Sequence, residues 1–185
     1  MPHYTAPHAF APLSDAEFAA LAPYLHREGP GRPIDQPRET LDAIFSALLS
    51  NNRWSHRGEK HDTLHRRFRR WAHAGLWTRL LTDAARSKAL RPLRYRICRA
   101  YRAAIRVLGV HAIALARRLG FLTALPGPPW MLPDPILSET VTACFKKLIP
   151  IDRLPDRSLI PLLRTLRALL RTAGGRRIRR CLAPP

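Results

Sequence analysis

The chain has 185 residues, enough for one or two small domains with a real core, and 32 Lys and Arg against 13 Asp and Glu give it a formal net charge of +19. That imbalance and a pI near 11.5 point to a polyanionic partner, nucleic acid being the commonest. Cys98, Cys144 and Cys181 are scattered, with no Cys-x-x-Cys pair, which argues against a disulfide framework or a zinc finger and fits reduced thiols in a cytosolic protein.

The N-terminus has no basic start followed by an apolar run, and no apolar stretch of about 18 residues is free of charge. A soluble, cytoplasmic chain is therefore expected. The charge is uneven: residues 1–62 hold six Lys/Arg and eight Asp/Glu, while residues 63–185 hold 26 and five. Arg outnumbers Lys 28 to 4. A GC-rich genome produces that preference without any functional cause.

Residues 1–12, rich in Pro, His and Ala, read as a flexible arm. Ser14-Asp15-Ala16-Glu17 is a capping box, with Leu13 and Phe18 at the positions of a hydrophobic staple. A first helix is expected over 15–26, with Phe18, Leu21, Ala22 and Leu25 on its apolar face. Glu28 to Asp35 is a Gly/Pro turn in which Pro33 holds Gly31-Arg32 extended, the form in which Arg32 could enter a narrow minor groove. On three residues alone, an ordinary inter-helix loop accounts for it better.

A second helix should open at Pro37, whose missing N–H costs nothing in a first turn, and end at Ser50-Asn51-Asn52. Leu41, Ile44, Phe45, Leu48 and Leu49 form its buried stripe, and Trp54 is expected beneath the next loop. The third helix, 62–74, sets Leu64, Phe68, Trp71 and Gly75 on one face and Asp62, Arg66, Arg69, Arg70 and His73 opposite. Asp62 is its expected N-cap and Gly75 its stop. A short capped helix with a bulky buried side and a bare arginine side meets the needs of a major-groove reading helix, though a solvated surface helix would share the pattern. A fourth helix, Trp77 to Ala85, would brace it. The second and third helices make the helix-turn-helix pair, with a connection of about a dozen residues that exceeds the tight form.

Residues 12–82 resemble the small N-terminal domain of bacterial insertion-element transposases of the DDE class. The resemblance rests on Leu13 to Glu17, Gly31-Arg32-Pro33, Arg38-Glu39 with Leu41, Ala43 and Ile44, Trp54, the run Thr63 to Trp71, and Ala74-Gly75-Leu76-Trp77. Arg66-Arg67-Phe68-Arg69-Arg70-Trp71 and the closing Gly-x-Trp are its most specific parts. After Trp54 the family continues Arg-Asp-Leu-Pro, whereas this chain has Ser55-His56-Arg57-Gly58. The resemblance covers roughly two-fifths of the chain and implies binding to the terminal inverted repeats of a mobile element.

Such transposases continue into a ribonuclease-H-like sheet whose three carboxylates hold two metal ions. Here the acids after residue 63 are Asp83, Asp134, Glu139, Asp152 and Asp156, none in an alternating β-branched strand. Asp134 and Asp156 read as N-caps. No catalytic residue is assigned, and the chain by itself is not expected to cut DNA.

The second half of the chain reads as helical. Leu93, Ile97, Tyr101, Ala104 and Leu108 form one stripe and Arg99, Arg102 and Arg106 another, making residues 86–120 a basic helical extension with a second segment from Val110 to Leu119. Residues 121–135 read as a Pro/Gly linker. A C-terminal helical pair is expected over 136–175, from Leu137, Val141, Cys144, Phe145 and Leu148 and then from Leu159, Leu162, Leu163, Leu166 and Leu170, the latter opposed by Arg164, Arg167 and Arg171. Residues 176–185 form a basic tail expected to be disordered. This half is either a genuine module that adds phosphate contacts or dimerises, or a decayed or frame-shifted remnant. One-sided charge along each helix favours the module.

His61 and His65 are four apart, but no third metal ligand stands near, and neither a phosphate-binding glycine loop nor a nucleophile triad can be assembled by motif. No metal, cofactor or small-molecule substrate is expected. The sequence thus predicts an all-α protein, a small helix-turn-helix bundle over 13–85 followed by basic amphipathic helices. It would bind double-stranded DNA through Arg32, Thr63, Arg66, Arg67, Arg69, Arg70, His73, Arg99, Arg102 and Arg106, in association with the nucleoid. A separate catalytic transposase subunit or a second copy of the chain are the protein partners to expect. Binding to an anionic membrane surface or to RNA is the alternative, explaining the charge but not the order of helices.

Overall fold

Helical signals dominate the fold as they dominate the sequence. The computed structural model describes residues 3, 5–25, 36–50, 61–128, 131–148 and 159–174. In chain order these form α1 (Asp15–Leu25), α2 (Pro37–Leu49), α3 (His61–His73), α4 (Leu76–Ala84), α5 (Arg94–Leu108), α6 (Val110–Arg118), a 3-10 turn (Leu122–Ala124), α7 (Pro135–Leu148) and α8 (Ile160–Ala173). Among the described residues there is no strand, and the protein is all-α.

The local signals at the start of the chain close as expected. The Ser14 N–H donates to Glu17 Oε2 at 2.9 Å and the Glu17 N–H to Ser14 Oγ at 3.3 Å, the reciprocal pair of a capping box. Leu13 is buried, and its N–H donates to Asp42 Oδ1 on α2 at 2.8 Å. Arg38 of α2 pairs with Asp15 at 2.6 Å and also donates to the Leu13 carbonyl, so α1 is tied to α2 at its first turn. Pro37 opens α2, and the Ser50 N–H closes it on the Ser46 carbonyl at 3.1 Å. α3 begins at His61, which places Asp62 inside the first turn rather than ahead of it as a cap. Gly75 stands at φ +76, the left-handed backbone that glycine adopts without penalty, and this turns α3 into α4.

The helices meet on α5. Ile97, Cys98, Ala100, Tyr101, Ala104 and Ile105 are all buried, and α2, α3, α4, α6 and the 3-10 turn pack around them. One continuous core runs from Leu13 to Leu125. Its aromatic centre is Trp77, with ring centroids 5.3 Å from Phe68, 6.0 Å from Trp71 and 6.3 Å from Phe45. Tilted and edge-on pairs of this kind add to the area that each ring buries. Residues 86–120, read from sequence as an extension, therefore supply the packing surface for the helices before them. The apolar stripe is legible in sequence, but the number of helices gathered on it is set by packing between distant residues.

Two stretches differ from the sequence reading. Residues of the expected flexible arm are held: the His3 N–H donates to the Gly120 carbonyl at 2.9 Å and its ring stacks on Phe121 at 4.6 Å. Thr5 hydrogen-bonds Thr123, and the His8 ring lies 5.0 Å from Tyr95. The start of the expected linker is core, with Phe121, Ala124 and Leu125 all buried. Three buried apolar residues among the five from 121 to 125 outweigh the prolines after them.

α7 and α8 pack mainly on each other. Asp134 caps α7, accepting the Leu137 N–H at 3.1 Å, and pairs with Arg117 of α6 at 2.9 Å. Asp156, the other expected cap, lies outside the described residues. The hairpin is thinly covered: Val141, Leu166 and Ala173 are buried, but Cys144 and Phe145 of the expected α7 stripe are exposed. Two helices can cover only one seam of each other. No helix among the described residues is long and apolar enough to cross a membrane.

Candidate nucleic-acid interface

α3 divides cleanly around its circumference. Phe68, 3% exposed, and Ala72 are buried, with Leu64 and Trp71 packed against the core. Thr63, Arg66, Arg69, Arg70 and His73 are all exposed. At 100° per residue these five span about a third of the helix. None of Arg66, Arg69 and Arg70 has a hydrogen-bond or ion-pair partner among the described residues. Behind them the Trp77 indole N–H reaches the Phe68 carbonyl at 3.5 Å, anchoring α3 to α4.

The remaining expected site residues divide into braces and open cations. Arg67 points back to α2 and donates to Thr40 Oγ1 at 2.9 Å, while that hydroxyl donates to the Gln36 carbonyl at 2.8 Å. Arg99 donates from Nε at 3.3 Å and Nη2 at 2.8 Å to the Leu48 carbonyl, satisfying an acceptor in the last turn of α2. Arg102 is exposed and donates to the Pro126 carbonyl at 3.1 Å. Arg106 is exposed one turn further on. Arg32 lies outside the described residues. Arg67 and Arg99 thus hold α2 against α3 and α5, an internal use that their place on a polar face does not reveal.

Arg96 is the reverse case, a buried cation that no sequence pattern singles out. Its side chain is 5% exposed, and Nη1 lies 3.8 Å from Glu17 Oε2. Its Nε and Nη1 make no hydrogen bond among the described residues. The only trace in sequence is its place beside the apolar stripe of α5.

Two of the carboxylates after residue 63 have structural partners. Asp83 accepts the Tyr24 hydroxyl at 2.8 Å, and burial, helped by this bond, pushes the Tyr24 phenol up to about 12. Asp134 is engaged as cap and ion pair. Among the described residues, no group of three or more His, Cys, Asp or Glu is placed to hold a metal ion.

Residues 13–81 match the family model described as "Putative transposase of IS4/5 family". No curated protein and no solved structure matches the chain. The matched stretch opens at Leu13, the buried residue ahead of the capping box, and closes at Leu81 within α4, so it takes in α1 to α3, with the exposed arc of α3, and the first part of α4. Over residues 13–81 the chain is therefore similar to a putative transposase of the IS4/5 family.

Proposed function

We propose that the chain is a sequence-directed binder of double-stranded DNA, recognising the terminal inverted repeats of a mobile element, with α2 and α3 as its helix-turn-helix pair. The observation that carries this reading is the polar arc of α3: three exposed arginines, Thr63 and His73 on one open face, backed by Phe68 and Trp77. A guanidinium can pair with both acceptors of a guanine in the major groove, and the same group neutralises phosphate. Arg66, Arg69, Arg70 and His73 face the groove or its phosphates. Arg102 and Arg106 add backbone contacts, and Arg67 and Arg99 fix the helices that present them.

The domain is an end-binding module or a regulator without its own carboxylate triad, and catalysis belongs to another subunit. The structural employment of Asp83 and Asp134 supports this. Purified chain with Mg²⁺ is then expected neither to nick nor to join duplex ends.

The test starts with a random duplex library, from which the purified chain selects its preferred sequence. Competition between selected and scrambled duplexes then compares wild type with Arg66→Ala and Arg70→Ala. Each lost base pairing should remove roughly 1–3 kcal/mol of discrimination and so compress the ratio. An unchanged ratio in variants that keep their circular-dichroism spectrum would refute α3 as the reading helix.

A further inference from the structure

α8 carries a second cationic face far along the chain from α3. Arg164, Arg167 and Arg171, at i, i+3 and i+7, are all exposed, and none has a partner among the described residues. They fall within a narrow stripe over about 10 Å of helix axis. The other side of α8 is spent on α7: Leu166 and Ala173 are buried there, with Leu163 and Leu170 half-buried. α7 in turn packs on α6, and α6 on α5, so three helices stand between α8 and α3. From Arg157 to the last residue of the sequence there are eight arginines and no acidic residue.

We infer that the arginine face of α8 is a separate binding surface for the phosphate backbone of duplex DNA, extending the contact of the chain beyond α3. This rests on the reading of the chain as a DNA binder. Charge complementarity selects the partner class, since a duplex presents one negative charge per about 1.7 Å and three in-line guanidiniums face several phosphates at once. Arginine suits this because its planar fork can donate two bonds to one phosphate. A bilayer surface fits less well. A helix lying in a membrane interface inserts its apolar side, whereas on that side of α8 Leu166 and Ala173 are buried and Leu163 and Leu170 half-buried, leaving Ile160, Leu162 and Leu169 open. Contacts to phosphate add affinity to every sequence alike, so this surface contributes reach and not recognition.

The full chain with Arg164→Gln, Arg167→Gln and Arg171→Gln together tests the inference, glutamine being nearly as good a helix former as arginine. Binding to selected and scrambled duplexes is measured between about 50 and 200 mM salt. Three lost phosphate contacts correspond to about 2.7 in the slope of log affinity against log salt, so the fall over that range should be roughly 40-fold smaller than in wild type. The ratio of selected to scrambled affinity should not change. A folded triple variant with the wild-type slope overturns the inference, as does wild-type binding to vesicles of phosphatidylserine and phosphatidylcholine that exceeds duplex binding and is lost in the triple variant. Arg66→Gln/Arg70→Gln separates the two readings. If that variant keeps the wild-type ratio while the α8 variant flattens the slope, α8 stands and the reading helix falls; the converse leaves α3 and removes α8.

Discussion

Changing Glu17 to Gln should destabilise the protein far more than the loss of a helix cap. Glu17 Oε2 accepts the Ser14 N–H at 2.9 Å, and Gln can keep that bond through its carbonyl oxygen. The substitution removes the carboxylate charge 3.8 Å from Nη1 of Arg96, a buried guanidinium whose Nε and Nη1 make no hydrogen bond among the described residues. At an effective dielectric of about 20, unit charges at that separation interact by roughly 4 kcal/mol. Stranding one member of a buried pair costs about 3–5 kcal/mol, whereas cap loss alone costs about 1 kcal/mol. Arg96→Met keeps much of the apolar stem and leaves no buried charge, so it should be near neutral, and adding it to Glu17→Gln should restore most of the lost stability. Urea denaturation followed by circular dichroism closes the cycle. A Glu17→Gln cost near 1 kcal/mol with no coupling to Arg96 would refute the reasoning.

Two further outcomes concern the core. Phe68→Ala removes the ring packed on Trp77 and should cost roughly 3–5 kcal/mol, with DNA binding lost through unfolding of α3; retained stability in the same denaturation assay would mean that α3 is held by something else. Burial pushes the Cys98 thiol up to about 12 from 9.0 and the Tyr101 phenol up to about 12 from 10.0. Both groups hold their protons more tightly when folded, so their contribution is complete below the unfolded values and is lost as pH rises toward 12. Stability should fall steeply from about pH 9 upward, and Cys98→Ala should start the decline nearer pH 10; a stability curve flat from pH 8 to 11 would contradict this.

The helices of the first 85 residues were legible in sequence because their signals are local. A capping box, a proline at a first turn and a glycine at φ +76 act within a few residues, and each closes in the structure where its spacing places it. The exposed arc of α3 was legible too, since a 3.6-residue period sorts Phe68 from Arg66 and Arg70 without knowledge of a partner. What a side chain reaches across the fold has no such period. Arg67 and Arg99 look like Arg66 and Arg102 in any helical projection, and only the approach of Thr40 and Leu48 turns them inward as braces. Tertiary packing likewise decided that α5 is the centre of the core, that Phe121 and Leu125 pull the start of a Pro/Gly stretch inside, and that Arg96 is buried against Glu17. Periodicity tells which face of a helix is apolar; how many neighbours gather around that face, and which polar groups they trap there, depends on contacts between residues tens of positions apart.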